Sequence, residues 1–292
     1  MRFVVSADWH LREDRPRCRI DEDWIGVQKR ALARLADYCE KYDCNLVVVG
    51  DLFHRSTEFR MVKLVQSLAD RLSISNLKLY YLAGNHDLLY HSTANLDRSA
   101  IGLLENTNNC FYISDLAMYS VSAPNFDEKC DDSKAHLFIH TLCFPDMKSM
   151  PPNVNAVCAK DLLEEHRNAK WIFTGDYHHG FHYQLNGRHV VNSGCLIRQA
   201  VDMKDYQCGA YFVDTDKDEV EFLPIKDDAD MVDDAYIVDE KVRDERIGEF
   251  VDKLKGTKAV SLDFTDNVEK ALASSGLDED VKDMVNRLME GS

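Results

Sequence analysis

The sequence predicts an α/β fold with a small α+β unit at its C-terminus, and three observations carry that expectation. Through the first half, apolar runs ending in polar clusters alternate with segments of helical period, the pattern of βα units feeding a sheet buried on both faces. Beyond residue 110 short strands follow one another quickly, which suits a second sheet packed on the first. Residues 226–235, "KDDADMVDDA", are acidic and poor in large apolar side chains, so they read as a boundary between residues 1–225 and a small unit over 226–292. With 292 residues and 45% hydrophobic content the chain can fill a sizeable core.

The elements follow in order. "RFVVSAD" reads as a strand, 24–41 as a helix, "NLVVVGD" as a strand, 58–72 as a helix and "KLYYLAGNHD" as a strand, with a short helix at 95–105. Short strands are then expected near 111–113, 117–122, 136–140, 170–174, 182–185, 189–192, 210–215 and 219–225, with one helix near 158–167. In the last unit "AYIVDEK" and "KAVSLDF" resemble strands, while 243–255, 266–275 and 279–290 resemble helices. Val281, Met284, Val285, Leu288 and Met289 fall at i, i+3, i+4, i+7 and i+8 and form one apolar stripe, either packing within its own unit or docking a partner.

Bulk properties narrow the function. No stretch approaches the ~20 apolar residues of a membrane span and the N-terminus has no signal-peptide core, so a cytoplasmic protein without membrane contact is expected. The nine cysteines lack C-x-x-C spacing and read as reduced and buried. The net charge of -16 argues against a broad basic footprint for nucleic acid, although residues 226–292 carry -9 of it.

Four strand ends present residues that bind metals: "SADWH" with Asp8 and His10, "VVVGDLFH" with Asp51 and His54, "LAGNHD" with Asn85, His86 and Asp87, and "FTGDYHH" with Asp176 and His178. His140 closes a fifth apolar run, "LFIHT". Taken singly, each has a turn-forming or hydrogen-bonding explanation. Together, at the carboxyl ends of strands that converge in space, they point to a metal site.

The ordered set Asp-x-His, Gly-Asp-x-x, Gly-Asn-His-Asp, a lone His and Gly-x-x-His over residues 8–178 resembles the calcineurin-like metallophosphoesterase superfamily. "GDLFHRS" and "VVNSGCLIRQ" resemble its SbcD-type nucleases, with Cys195 standing where their pattern has Ser. The resemblance implies a four-layer αββα sandwich and two divalent ions, with manganese expected and iron or zinc as alternatives. One ion would take Asp8, His10, Asp51 and His178; the other would take Asp51, Asn85, His140 and Asp176, with Asp51 bridging. The family's last motif is Gly-His-x-His, so Asp176 puts a carboxylate where an imidazole is usual. His179 and His182 are then left over as structural residues, or form an alternative ligand register.

The reaction so implied is phosphodiester hydrolysis by a two-metal-activated hydroxide. His86 would serve as proton donor or transition-state stabiliser, Asp87 would orient it, and His54 is a second candidate. DNA exonuclease and endonuclease activity is expected, with Arg12, Arg15, Arg17, Arg19 and Arg198 as phosphate contacts. By the same resemblance the chain would work as a homodimer with an SbcC-type ABC ATPase. A phosphodiesterase or phosphatase for small nucleotides is the alternative within the class; a non-catalytic module that recruits an ATPase is the alternative outside it.

Overall fold

The computed structural model describes residues 1–113, 121–122, 134–226, 231–233, 268, 272–273 and 278–290. The chain groups into two compact units, Met1–Asp233 and Asp234–Ser292. Residues 231–233 go with the first because Ile20 donates to Met231 O at 2.9 Å and Asp233 to Cys18 O at 2.6 Å.

In the first unit one six-stranded sheet has the order β13-β12-β1-β2-β3-β4: β1 (Arg2–Ser6), β2 (Asn45–Val49), β3 (Leu79–Leu82), β4 (Cys110–Tyr112), β12 (Gly209–Asp214) and β13 (Glu219–Pro224). Strands β1 to β4 are parallel, while β12 and β13 close one edge antiparallel. A five-stranded sheet has the order β10-β11-β9-β6-β5: β5 (Val121–Ser122), β6 (His136–His140), β9 (Trp171–Gly175), β10 (Phe181–Leu185) and β11 (Arg188–Asn192). Only β10 runs antiparallel there. β7 (Cys143–Phe144) and β8 (Val157–Cys158) form a small parallel pair.

The alternation of side chains along each strand builds the layers. Phe3, Val5, Val47 and Val49 of the first sheet meet Phe138, Trp171, Phe173 and Val191 of the second in one buried cluster. Val4, Leu46 and Val48 point the other way, onto α1 (Trp24–Tyr42) and α2 (Val62–Ile74). The outer face of the second sheet, with Leu137, Ile139 and Ile172, is covered by Leu162 and Leu163 of α3 (Ala159–Glu165). Four layers result, α on β on β on α.

Two helical expectations shift. Residues 58–61 stay outside α2, where the Glu58 carboxylate is committed to Arg55 and to the Glu13 amide. The helix expected at 95–105 divides into two short 3-10 stretches, Thr93–Arg98 and Ile101–Asn106. Ser99 causes the break: its extended backbone stops the first stretch while its hydroxyl donates to Leu96 O and accepts from Gly102 N.

In the second unit α4 (Glu279–Glu290) matches its expected span, with Val281 buried and Met284 and Val285 half-buried. The strands expected at 235–241 and 258–264 and the helix at 243–255 lie outside the described residues, as does most of 266–275. No helix among the described residues is long and apolar enough to cross a membrane.

Candidate metal centre

The backbone prepares the site before any side chain does. Asp8 (φ 49°), His10 (φ 44°), Asp51 (φ 52°) and Asp176 (φ 82°) all take left-handed conformations directly after β1, β2 and β9. Such geometry is uncommon for residues with a Cβ and costs of order 1–3 kcal/mol each, so it persists only where the surroundings fix it. They do so here: Asp8, His10 and Leu11 donate to the carbonyls of Gly50, Asp51 and Leu52 at 3.2, 3.0 and 2.9 Å. Gln28 of α1 exchanges two hydrogen bonds of 2.9 Å with the backbone of Arg12 and pins the outgoing chain. Gly50, at φ 83°, must lack a side chain because the His140 ring occupies the space a Cβ would take.

The strand ends of the two facing sheets come together. His10 Nε2 lies 3.2 Å from His178 Nε2 and 3.6 Å from an Asp51 oxygen. His140 Nε2 lies 3.3 Å from Asp51, 3.1 Å from Asn85 Oδ1 and 4.0 Å from Asp176. Asp8, His10 and His178 bring ligand atoms within 4.8 Å of one another, as do Asp8, Asp51 and His140. All seven residues expected as ligands therefore converge. The Asp176 side chain is 31% exposed, while its amide donates to both Asp8 oxygens.

Electrostatics shows that this donor set fits metal ions. Burial, reinforced by Asp51 and Asp176, lifts Asp8 well above the carboxylate range despite His140. Burial also works against Asp51, but the His140 cation prevails and holds that carboxylate below its usual range. His140 loses basicity to burial and regains more from Asp51, Asp8 and Asp176, ending at about 10. Burial pushes His10 down to about 3 and lowers His178, so both present neutral nitrogens. A buried carboxylate short of positive charge, Asp8, beside the neutral imidazoles of His10 and His178, with a proton on His140 standing where a cation would neutralise Asp51, is what a divalent cation site needs. His140 Nδ1 is bonded to Val49 O at 2.9 Å, which orients the ring with Nε2 toward Asp51.

His54 and His86 flank the same space, their ring centroids 5.9 and 4.8 Å from that of His10. His86 Nδ1 is bonded to His54 O at 2.8 Å, and burial pushes His54 down to about 4, helped by Arg12. A cavity of about 160 Å³ opens here, lined by His10, Arg12, His54, His86, His178 and Gln199 among others.

Three expected roles are corrected. Asp87 does not reach His86: it is fully buried and accepts from the amides of Leu52, Phe53 and Gly84 at 3.2, 2.9 and 3.0 Å, tying two ligand loops together. Arg19 is no surface contact; it is buried, paired with both oxygens of Asp21 and packed over Trp24. Arg198 is also internal and donates to Lys204 O at 2.7 Å. Arg15 and Arg17 are exposed, and Arg12 borders the cavity while pairing with Asp14.

Of the leftover histidines, His179 packs on Tyr206 and His182 bonds His189 at 3.0 Å, so the alternative register is not formed. Asn192 supports the turn that carries His178, donating to the carbonyls of Tyr177 and His179. The sequence reading missed Gln28 and Gln199; neither belongs to a ligand motif.

Facing sheets with outer helices, and carboxylates and imidazoles gathered at the strand ends, define a metal-dependent hydrolase class. The calcineurin-like phosphoesterase family model matches residues 1–180, well over half of the chain, and the chain belongs to that family. It is accordingly a metal-dependent hydrolase of phosphoester bonds. No curated protein matches it. Among solved structures it is similar to a Thermus thermophilus protein (10% identity, TM-score 0.46, covering 77% of this chain and 99% of the other) and to one described as a novel archaeal phosphodiesterase (13%, 0.41, 77% and 100%). A hypothetical protein of Pyrococcus horikoshii is similar at 12% identity and TM-score 0.41, covering 88% of this chain and 99% of that one.

Proposed function

We propose that the protein is a two-metal phosphodiesterase acting on DNA, an SbcD-type nuclease. The observation that carries the two-metal part is the pair of overlapping ligand sets, Asp8/His10/His178 and Asp8/Asp51/His140, with Asn85 and Asp176 completing the second. The mixed oxygen and imidazole donors favour manganese, iron or zinc over an all-oxygen ion, and manganese is our choice by resemblance. When bound, the ions supply charge to clamp the phosphate and lower the pKa of water. The chain supplies the rest. Asp51 sits where it faces both His10 and His140. We assign protonation of the leaving oxygen to His86, its Nδ1 held by His54 O, with His54 beside it as the second candidate. Arg12 at the cavity edge is placed to meet a neighbouring phosphate.

The DNA assignment rests on the resemblance of "GDLFHRS" and "VVNSGCLIRQ" to SbcD-type nucleases. With it come an SbcC-type ATPase and a second copy of the chain as partners, and residues 226–292 as the cap. The apolar stripe of α4, on which Met284 and Val285 are half-buried, is the surface on which we place the ATPase. A small nucleotide is the second reading, favoured by the net charge of -16 and by the withdrawal of Arg19 and Arg198 into the interior. A gel assay with labelled single- and double-stranded DNA and manganese, run beside a cyclic-nucleotide substrate, separates them. DNA left intact while the cyclic nucleotide is hydrolysed refutes the nuclease assignment.

A further inference from the structure

We infer that residues 195–199 form a strap joining the two halves of the Asp8/His10/His178 ligand set, and that Gln199 is its positioning side chain. This rests on the two-metal reading above.

The ligands of this set come from different sheets. Asp8 and His10 follow β1, whereas His178 follows β9. The left-handed turns at Asp8 and His10 send the amides of this loop toward the carbonyls of Gly50 to Leu52, so its own carbonyls need donors from elsewhere. The strap supplies them. Leu196 N approaches Asp8 O at 3.4 Å, and the Gln199 amide nitrogen donates to both Trp9 O and His10 O at 3.1 Å. At its other end Cys195 N donates to His178 O at 2.9 Å.

One short segment thus grips the carbonyl of each ligand in the set. The orientation of the Gln199 amide is unambiguous, because the reverse would set its oxygen against two carbonyls. Its Oε1 is buried and accepts no bond from the described residues. Both donated hydrogen bonds go to backbone carbonyls, so Gln199 acts through the backbone that aims His10. Partners of this kind typically change metal affinity by roughly 10–100-fold.

The test is a manganese titration followed by the EPR signal of free ion, with thermal melting in chelator as a control. Gln199→Met keeps the bulk and removes both donors. One of two binding classes should weaken about 10–100-fold while the other stays within about twofold and the chelated melting temperature holds. Gln199→Asn, one methylene shorter, should weaken the same class less; it decides the matter should the Met variant not fold. Both classes unchanged, or both weakened together with a fall in the chelated melting temperature, overturns the inference. Wild type that takes up no manganese refutes the two-metal reading itself.

Discussion

Asp87 separates a structural carboxylate from a catalytic one. Its side chain is fully buried and accepts from Leu52 N, Phe53 N and Gly84 N, so Asp87→Ala orphans three interior amides. At about 1–3 kcal/mol per orphaned donor the loss sums to about 3–9 kcal/mol. Against this stands the relief of not burying the carboxyl. Burial, with the Asp51 charge, lifts Asp87 from 3.8 to about 7, and at about 1.4 kcal/mol per pH unit that returns up to about 4 kcal/mol at alkaline pH. At the middle of that range, about 6 kcal/mol, the net expectation is a loss of about 2 kcal/mol, or roughly 4–8 °C in melting temperature for a unit of this size. Calorimetry in chelator is the assay, since it removes metal binding from the comparison. Asp87→Asn, which keeps an acceptor, should fall between. A chelated Asp87→Ala protein that melts within about 2 °C of wild type, yet hydrolyses its substrate far more slowly, would refute the structural assignment and return Asp87 to the chemistry.

Three further outcomes are expected. His86→Gln should retain two bound manganese ions while the rate falls by roughly 10²-fold or more; full activity in the metal-replete variant would remove His86 from the reaction. Asp176→Asn should weaken the ion near His140, whereas Asp176→His should keep manganese and part of the activity with a lower pH optimum; metal counting and pH-rate profiles check both, and tight binding of two ions by Asp176→Asn contradicts the ligand assignment. Burial lowers the pKa of His182 and His189 in the folded chain, so at low pH the unfolded state gains protons first. Their stabilisation is complete above pH about 6.5 and is lost as the pH falls through it; urea midpoints between pH 5 and 8 in chelator should slope less for His182→Gln than for wild type.

The strands were legible because buried parallel strands are continuous apolar runs with sharp ends, and those ends carry the ligands. Asp8, Asp51 and His140 stand out as polar residues closing such runs, and contacts between the two sheets bring them and His178 together. What was not legible depends on who fills a hydrogen bond. Arg19 reads as one more cation in "RPRCRID", yet Asp21 two residues on satisfies its guanidinium and lets it go inside. Asp87 reads as part of a catalytic "NHD", yet the amides it serves lie some 35 residues away in the Asp51 loop. Gln28 carries no motif and Gln199 is only the last residue of "VVNSGCLIRQ"; the work of both is done on backbone carbonyls and amides brought near only by folding.

The energetics tie the site to the packing between the sheets. Four ligand residues hold left-handed backbone, a cost of several kcal/mol by the usual scale. No local preference repays it. What holds the turns is the distance between the strand ends of the two sheets, across which Asp176 N reaches Asp8 and His140 reaches Asp51 and Val49. That distance is set by the interdigitated layer of Phe3, Val5, Val47, Phe138 and Phe173, where Phe138 and Phe173 stack at 4.6 Å and Phe3 meets Phe173 edge-on at 5.1 Å. Close-packed interiors do not deform smoothly, so a change in this layer is felt at the strand ends as well as in stability. The apolar layer is therefore part of the site: it converts burial into the fixed placement of carboxylates and imidazoles that hydrolysis of a phosphoester requires.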